Sequence, residues 1–261
     1  MAKLKLDSIL NNKTRGSSEL VHLLNDYFST IGNDKQKVMK SIELIKAKLN
    51  HFQAVRTYLN ELQITLNKSN KTALDNFFLK YERHQAKLIE ELFNGIYPKL
   101  KKMKSVITIS RSGTVLEILR KWYRKNKKIN VVVCESRPMY EGRMMASDLA
   151  KAGIKVKFIT DSMIGLYINQ VDAAIIGADA ILKNGNVINK VGSKSLALHC
   201  GYNSKPIYVV TSKSKFSNKN VFKPIKANQF EVWDKKIKNL SVQNFYFEEI
   251  EKQLITKIIA A

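Results

Sequence analysis

The sequence predicts an α/β protein in which an N-terminal all-helical domain, residues 1–104, precedes a parallel-sheet domain, residues 105–261. Two observations predict it. Apolar residues recur at helical spacing through the first hundred positions. From Ser105 onward, short apolar runs rich in β-branched residues alternate with helical stretches, the pattern of a parallel sheet covered on both faces.

In the first half, Val38, Met39, Ile42, Ile45 and Leu49 share one helical face, and Asn33 or Asp34 can cap that helix. Leu74, Phe77, Phe78, Tyr81, Leu88 and Leu92 mark another helix between Asn70 and Asn94. In the second half, strands are expected at Ser105–Ile109, Ile129–Val133, Val156–Ile159, Ala173–Ile176 and Ile207–Thr211. Helices are expected at Thr114–Lys125, Glu141–Ala152, Met163–Asn169 and Lys194–Gly201. Ligands of such sheets bind beyond the carboxyl ends of the strands. The sequences there are SRSGT, CESRP, TDS, GAD and TSKSKF.

Composition narrows the function classes. A chain of 261 residues with 44% hydrophobic content, 2 Trp, 11 Phe and 10 Tyr can build a sizeable core, and 4 Pro with 11 Gly argue against a disordered chain. No apolar run reaches the roughly 18 residues of a membrane span, and MAKLKLDSILNNK has no apolar signal core, so no membrane association and a cytoplasmic location are expected. Cys134 and Cys200 are the only cysteines, and the 4 His form no cluster with them, so neither a disulfide, a metal nor a cofactor is expected. The net charge of +23 is spread along the chain: residues 1–104 hold 19 Lys+Arg and 10 Asp+Glu, the remainder 26 and 12. It fits an RNA or ribosome contact or simply a Lys-rich solvated surface, and no aromatic-basic nucleic-acid module accompanies it.

The richest stretch is GADAILKNGNVINKVGSKSLAL, from Gly177 to Leu198. Small residues admit a ligand close to the backbone. Asp179 adds a carboxylate, and Lys190 with the helix-start amides at Ser193–Ser195 offers an anion site. The turn Ser110-Arg111-Ser112-Gly113-Thr114 is a second candidate for phosphate or sugar, although Ser and Gly also serve simply to cap such turns. It matches neither the dinucleotide fingerprint nor the P-loop. In Cys134-Glu135-Ser136-Arg137-Pro138, followed by Glu141 and Gly142, Arg137 could grip a phosphate with two hydrogen bonds or lie in an ordinary surface turn. Cys134 reads as a buried strand-end thiol, and Asp161 either as a helix cap or as a strand-end site residue. Lys13-Thr14-Arg15-Gly16-Ser17-Ser18-Glu19 reads as a helix start with a basic residue beside glycine.

As a set, ESRPMYEG, TDS, GADAILKNG and NKVGSKSLAL resemble the superfamily of the alpha, beta and delta subunits of translation initiation factor 2B. That superfamily also holds archaeal initiation factor 2B-like proteins, ribose-1,5-bisphosphate isomerase and methylthioribose-1-phosphate isomerase. The resemblance implies a helical domain joined to a Rossmann-like domain, a homodimer that can assemble further into a hexamer, and an initiation factor 2 partner. It also implies a phosphorylated sugar or nucleotide as ligand. By position, Arg15, Gly16, Ser17, Arg137, Asn189 and Lys190 match the family's phosphate-binding elements, with Arg111, Ser112, Gly113 and Thr114 lining the pocket. Arg56-Thr57 matches a further arginine element that has lost its proline. In the isomerases a cysteine at the first strand-to-helix turn and the Gly-Ala-Asp aspartate act as the acid/base pair. Asp179 matches the aspartate, but Ser110 stands at the cysteine position, and a hydroxyl is a poor substitute for a thiol there. The resemblance therefore implies binding without cysteine-dependent catalysis; an active aldose-to-ketose isomerase or a basic RNA-associated protein are the alternatives.

Overall fold

A computed structural model describes residues 6–11, 16–32, 34–50, 52–67 and 71–261. The helical part comprises α1 (Leu6–Leu10), α2 (Ser17–Ile31), α3 (Lys35–Leu49), α4 (Gln53–Asn67) and α5 (Lys71–Leu100). Asp34 caps α3 as its side chain suggests, its Oδ1 accepting from the Lys37 amide at 2.9 Å. Leu20, Phe28, Ile42, Ile45, Leu59 and Leu62 are among the buried residues that hold these helices together.

The sheet domain alternates as expected: β1 (Ser105–Ile109), α6 (Gly113–Lys125), β2 (Asn130–Cys134), α7 (Glu141–Lys151), β3 (Lys155–Ile159), α8 (Ile164–Tyr167) and β4 (Ala173–Ile176). A hairpin of β5 (Ala180–Ile181) and β6 (Val187–Lys190) follows, then α9 (Ser193–Tyr202), β7 (Ile207–Thr211), β8 (Phe247–Ile250) and β9 (Lys257–Ala260). Six strands form one parallel sheet in the order β3-β2-β1-β4-β7-β9. The order reverses between β1 and β4, which opens a crevice at their carboxyl ends. Burial explains the short apolar strands: Val106, Ile107, Val131, Val133, Ile175 and Val209 are inaccessible to solvent.

Two features depart from the sequence reading. Strand β9 completes the main sheet, and β5, β6 and β8 form a separate antiparallel sheet in the order β5-β6-β8. The two-residue β5 and the Phe247–Ile250 strand, half of it glutamate, carry too little apolar pattern to read as strands. The expected helix Met163–Asn169 is a 3-10 turn, the single α turn α8, and another 3-10 turn.

Helix α5 couples the two halves. Leu74 and Phe78 pack in the helical core, while Leu88, Leu92, Phe93, Ile96 and Leu100 pack with α6 and the central strands. Gly95 permits that approach, because a Cβ there would meet the Ile259 side chain at 2.9 Å. Among the described residues, no helix is long and apolar enough to cross a membrane, and no group of three or more His, Cys, Asp or Glu could hold a metal.

Candidate functional site

A cavity of about 180 Å³ opens at the carboxyl ends of β1 and β4 and is walled on one side by the helical part. Its wall brings together Gly16, Ser17, Ser110, Arg111, Ser112, Gly113, Asp179, Asn189 and Lys190, all singled out from the sequence. Thr114 is buried in the first turn of α6, outside the lining. Arg15 lies outside the described residues.

Ser110 leaves β1 with φ 63°, a left-handed conformation uncommon for a residue with a side chain. A hydrogen-bond chain fixes it. The Ser110 amide donates to Ser136 Oγ at 2.6 Å, and that hydroxyl donates to the Cys134 carbonyl at 3.1 Å. The Ser136 and Arg137 amides donate to the Asp161 carboxylate at 2.8 and 2.7 Å. Asp161 therefore braces the neighbouring turn and is not a helix cap: Thr160 holds the cap position of the 3-10 turn it begins. Ser112 does cap α6, accepting from the Val115 amide at 3.4 Å. Gly177 is required opposite it, since a Cβ there would come 2.8 Å from Ser112 Oγ.

The cations differ in how far they are committed. The Arg111 guanidinium bridges Glu19 of α2 and Asp148 of α7, the latter at 2.8–2.9 Å. Burial lowers its pKa, but those two carboxylates outweigh burial and raise it overall. It ties the helical part to the sheet with its charge already neutralised. Lys190, on β6, donates to Glu141 Oε1 at the start of α7. Its ammonium also sits 5.2 and 5.3 Å from the rings of Tyr246 and Phe247. Asn189 donates to Ser193 Oγ at 2.9 Å, tying β6 to the start of α9. Arg137 lies outside this cavity: it lines a separate surface hollow, stacks 4.9 Å over the Tyr140 ring and reaches the Val232 carbonyl at 3.3 Å.

Lys215 and Glu141 are among the wall residues that were not singled out as site residues. Lys215, in the TSKSKF strand end, is buried and donates to the Ala178 carbonyl at 2.7 Å. Burial pushes its pKa down, and nearby Asp179 opposes this. Glu141 is 3% exposed, and its Oε2 has no hydrogen-bond partner among the described residues. Burial raises its pKa more than Lys190 lowers it, and Asp179 adds to the rise. The strand-end position of Lys215 and the closeness of Glu141 to Arg137 were legible signals; their side-chain directions were not. Ser17 Oγ is likewise buried and unpartnered among the described residues. Unsatisfied buried oxygens facing a polar cavity are groups a ligand can complete.

This arrangement defines a class: a Rossmann-like parallel-sheet protein with a helical part packed against it and a cavity at the topological switch point of the sheet. The chain belongs to the Initiation factor 2 subunit family, whose family model matches residues 6–261. It is similar to an eIF-2B subunit 2-like protein of Pyrococcus horikoshii, with 44% identity over 42% of this chain and 40% of that protein. Ribose 1,5-bisphosphate isomerase of Archaeoglobus fulgidus is 36% identical over 48% of this chain and 40% of its own. These alignments thus span less than half the length of the curated relatives. The crystal structure of translation initiation factor eIF-2B from Pyrococcus horikoshii superposes with a TM-score of 0.82 at 26% identity, covering 97% of this chain and 92% of that one.

Proposed function

We propose that this chain binds a phosphorylated sugar or nucleotide in the cavity between β1, β4 and the helical part, without cysteine-dependent isomerisation. The observation that carries the reading is the convergence of Lys190, Lys215 and Asp179 on one small cavity beside the Ser110–Gly113 turn. Cations and amides suit a phosphate, and carboxylates suit sugar hydroxyls. Ser110 occupies the turn where the isomerases are expected to carry their thiol. Cys134 cannot replace it, because it is fully buried and burial pushes its thiol up to about 12. A thermal-shift screen with sugar phosphates and nucleoside monophosphates tests the reading. A ligand at a hundred times its Kd adds about 2.7 kcal/mol of stability, and the absence of any shift across the panel would end the proposal.

One observation favours an active isomerase as a second reading: Asp179 and Glu141 face the same cavity, so two carboxylates could move protons between adjacent carbons. It requires turnover of an aldose 1-phosphate that is lost in Asp179→Asn. Assembly as a homodimer, by analogy with the eIF2B-beta2-delta2 tetramer whose fold this chain shares at a TM-score of 0.75, belongs to the same proposal, as do an initiation factor 2 partner and a cytoplasmic location. Sedimentation analysis tests the first of these.

A further inference from the structure

The two ends of α6 differ in what surrounds them. Gly113, at its start, lines the cavity. Its last turn, about 20 Å further along the helix axis, carries Arg124 and Lys125, and Lys127 and Lys128 follow in the turn into β2. Residues 118–134 hold six Lys+Arg and no Asp or Glu. The tertiary structure brings further cations to this pole of the sheet. Asn130, at the start of β2, pairs with Lys155 of β3. Lys151, the last residue of α7, shares with Arg120, Tyr123, Arg124 and Lys127 the wall of a hollow of about 370 Å³.

A basic residue in a last turn offsets the negative end of the helix macrodipole. That explains Arg124, Lys125 and Lys151 singly, but not four cations gathered round one hollow. Two basic residues of this helix are committed: Arg120 pairs with Glu117, and Lys121 with Glu90 of α5. Arg124, Lys125, Lys127, Lys128, Lys151 and Lys155 are exposed. Among the described residues, none of these six forms an ion pair. The hollow is also firmly built. Lys127 lies 4.2 Å over the Tyr123 ring, and Gly153 has φ 84° where a Cβ would stand 3.1 Å from the Tyr123 hydroxyl. Like charges held together repel one another, and a bound polyanion relieves that repulsion.

The side chains around the cations select among polyanions. Among the described residues, none between 99 and 130 exposes a large apolar side chain, so the strip lacks the apolar anchors of a membrane-surface helix. Single-stranded nucleic acids are held by bases stacked on aromatic rings. Tyr123 is the one aromatic residue lining this hollow, and Lys127 covers its ring. Contact with phosphates remains. We propose that this strip, at the pole of the sheet domain opposite the cavity, binds the sugar-phosphate backbone of a duplex nucleic acid without reading its bases. The inference stands apart from whatever fills the cavity.

Fluorescence anisotropy on the full chain tests this with a labelled RNA duplex, the DNA duplex of the same sequence and one single strand, over a range of KCl concentrations. Affinity for a duplex is expected to fall with salt at a logarithmic slope of about −4 to −5, as about five neutralised phosphates require. Tighter binding of the RNA or of the DNA duplex names the source of the backbone, and either supports the proposal. The combined variant Arg124→Glu, Lys127→Glu and Lys151→Glu should bind at least about a hundredfold more weakly. A control with Lys235→Glu, Lys236→Glu and Lys238→Glu, also at exposed positions, lowers the net charge equally and should weaken binding less than about threefold. Lys127→Gln alone should reduce the salt slope by about one, which keeps the test open should the triple variant fail to fold. No duplex binding, tighter binding of the single strand, equal weakening by the two triple variants, or an unchanged slope in Lys127→Gln overturns the inference. Phosphatidylserine vesicles complete the test: vesicle binding that is lost in the Arg124, Lys127 and Lys151 variant while duplex binding survives also overturns it and makes the strip a membrane contact.

Discussion

Lys190 donates to Glu141 Oε1 inside the cavity that both residues line, with 7% and 3% of their surfaces exposed. The pair joins β6 to the first turn of α7, two elements 49 residues apart. It also decides how much of the cavity's positive charge a ligand meets, because the carboxylate already neutralises the ammonium.

Removing one member of a buried pair strands the other. Glu141→Ala, which removes the hydrogen-bonding partner altogether, should therefore destabilise the ligand-free protein by about 3 kcal/mol, and phosphate ligands should restore more stability to the variant than to the parent chain. The pH dependence gives a second readout. The folded pKa of Glu141 is raised by burial, so its contribution is fully present below the unfolded value and is lost as pH rises through the folded one. Melting curves across that range should lose this component in the variant; an unchanged melting temperature and slope would refute the assignment.

Lys215 should show stability traded for function. Its folded pKa is lowered from 10.5 by burial. The stability linked to it is therefore present above 10.5 and lost as pH falls through the lowered value. Lys215→Met removes the burial cost and keeps the volume, so it should melt no lower than the parent near neutral pH while binding phosphosugars at least tenfold more weakly. A variant that binds normally would take Lys215 out of the site.

The two free thiols should be inert in the native protein. Burial pushes both Cys134 and Cys200 up to about 12, which leaves almost no thiolate at pH 8. A disulfide reagent should label neither until denaturant is added, and rapid stoichiometric labelling of the native chain would contradict this.

Gly142 should tolerate no side chain. A Cβ there would stand 1.9 Å from the Cys134 carbonyl oxygen, so α7 would have to move away from the end of β2. Gly142→Ala is expected to cost about 3 kcal/mol or more, read from the denaturant midpoint; an unshifted midpoint would show that α7 is free to retreat.

The alternation of apolar strands and helices made the main sheet legible, because its central strands are buried on both faces and keep an unbroken apolar run. The small sheet was not legible: β5 has two residues, and half of β8 is glutamate. Its pairing depends on β6 meeting β8 almost sixty residues further along the chain. The site divides similarly. Asp179, Lys190 and the Ser110–Gly113 turn lie at strand ends, where topology alone directs ligands. Arg137 occupies an equally suggestive turn, yet its side chain lies over Tyr140, outside the cavity.

The sequence by itself determined the two-part architecture, the strand ends that line the cavity, and Ser110 at the turn where a thiol was expected. These follow from local periodicity and from which residue types stand beside which strands. Only the tertiary structure decided which cations remain free. Glu19 and Asp148 reach Arg111 from two different helices, and Glu141 reaches Lys190 across the switch point. Charge neutralisation is a matter of a few ångströms between segments far apart in the chain, a distance that no spacing along the sequence records.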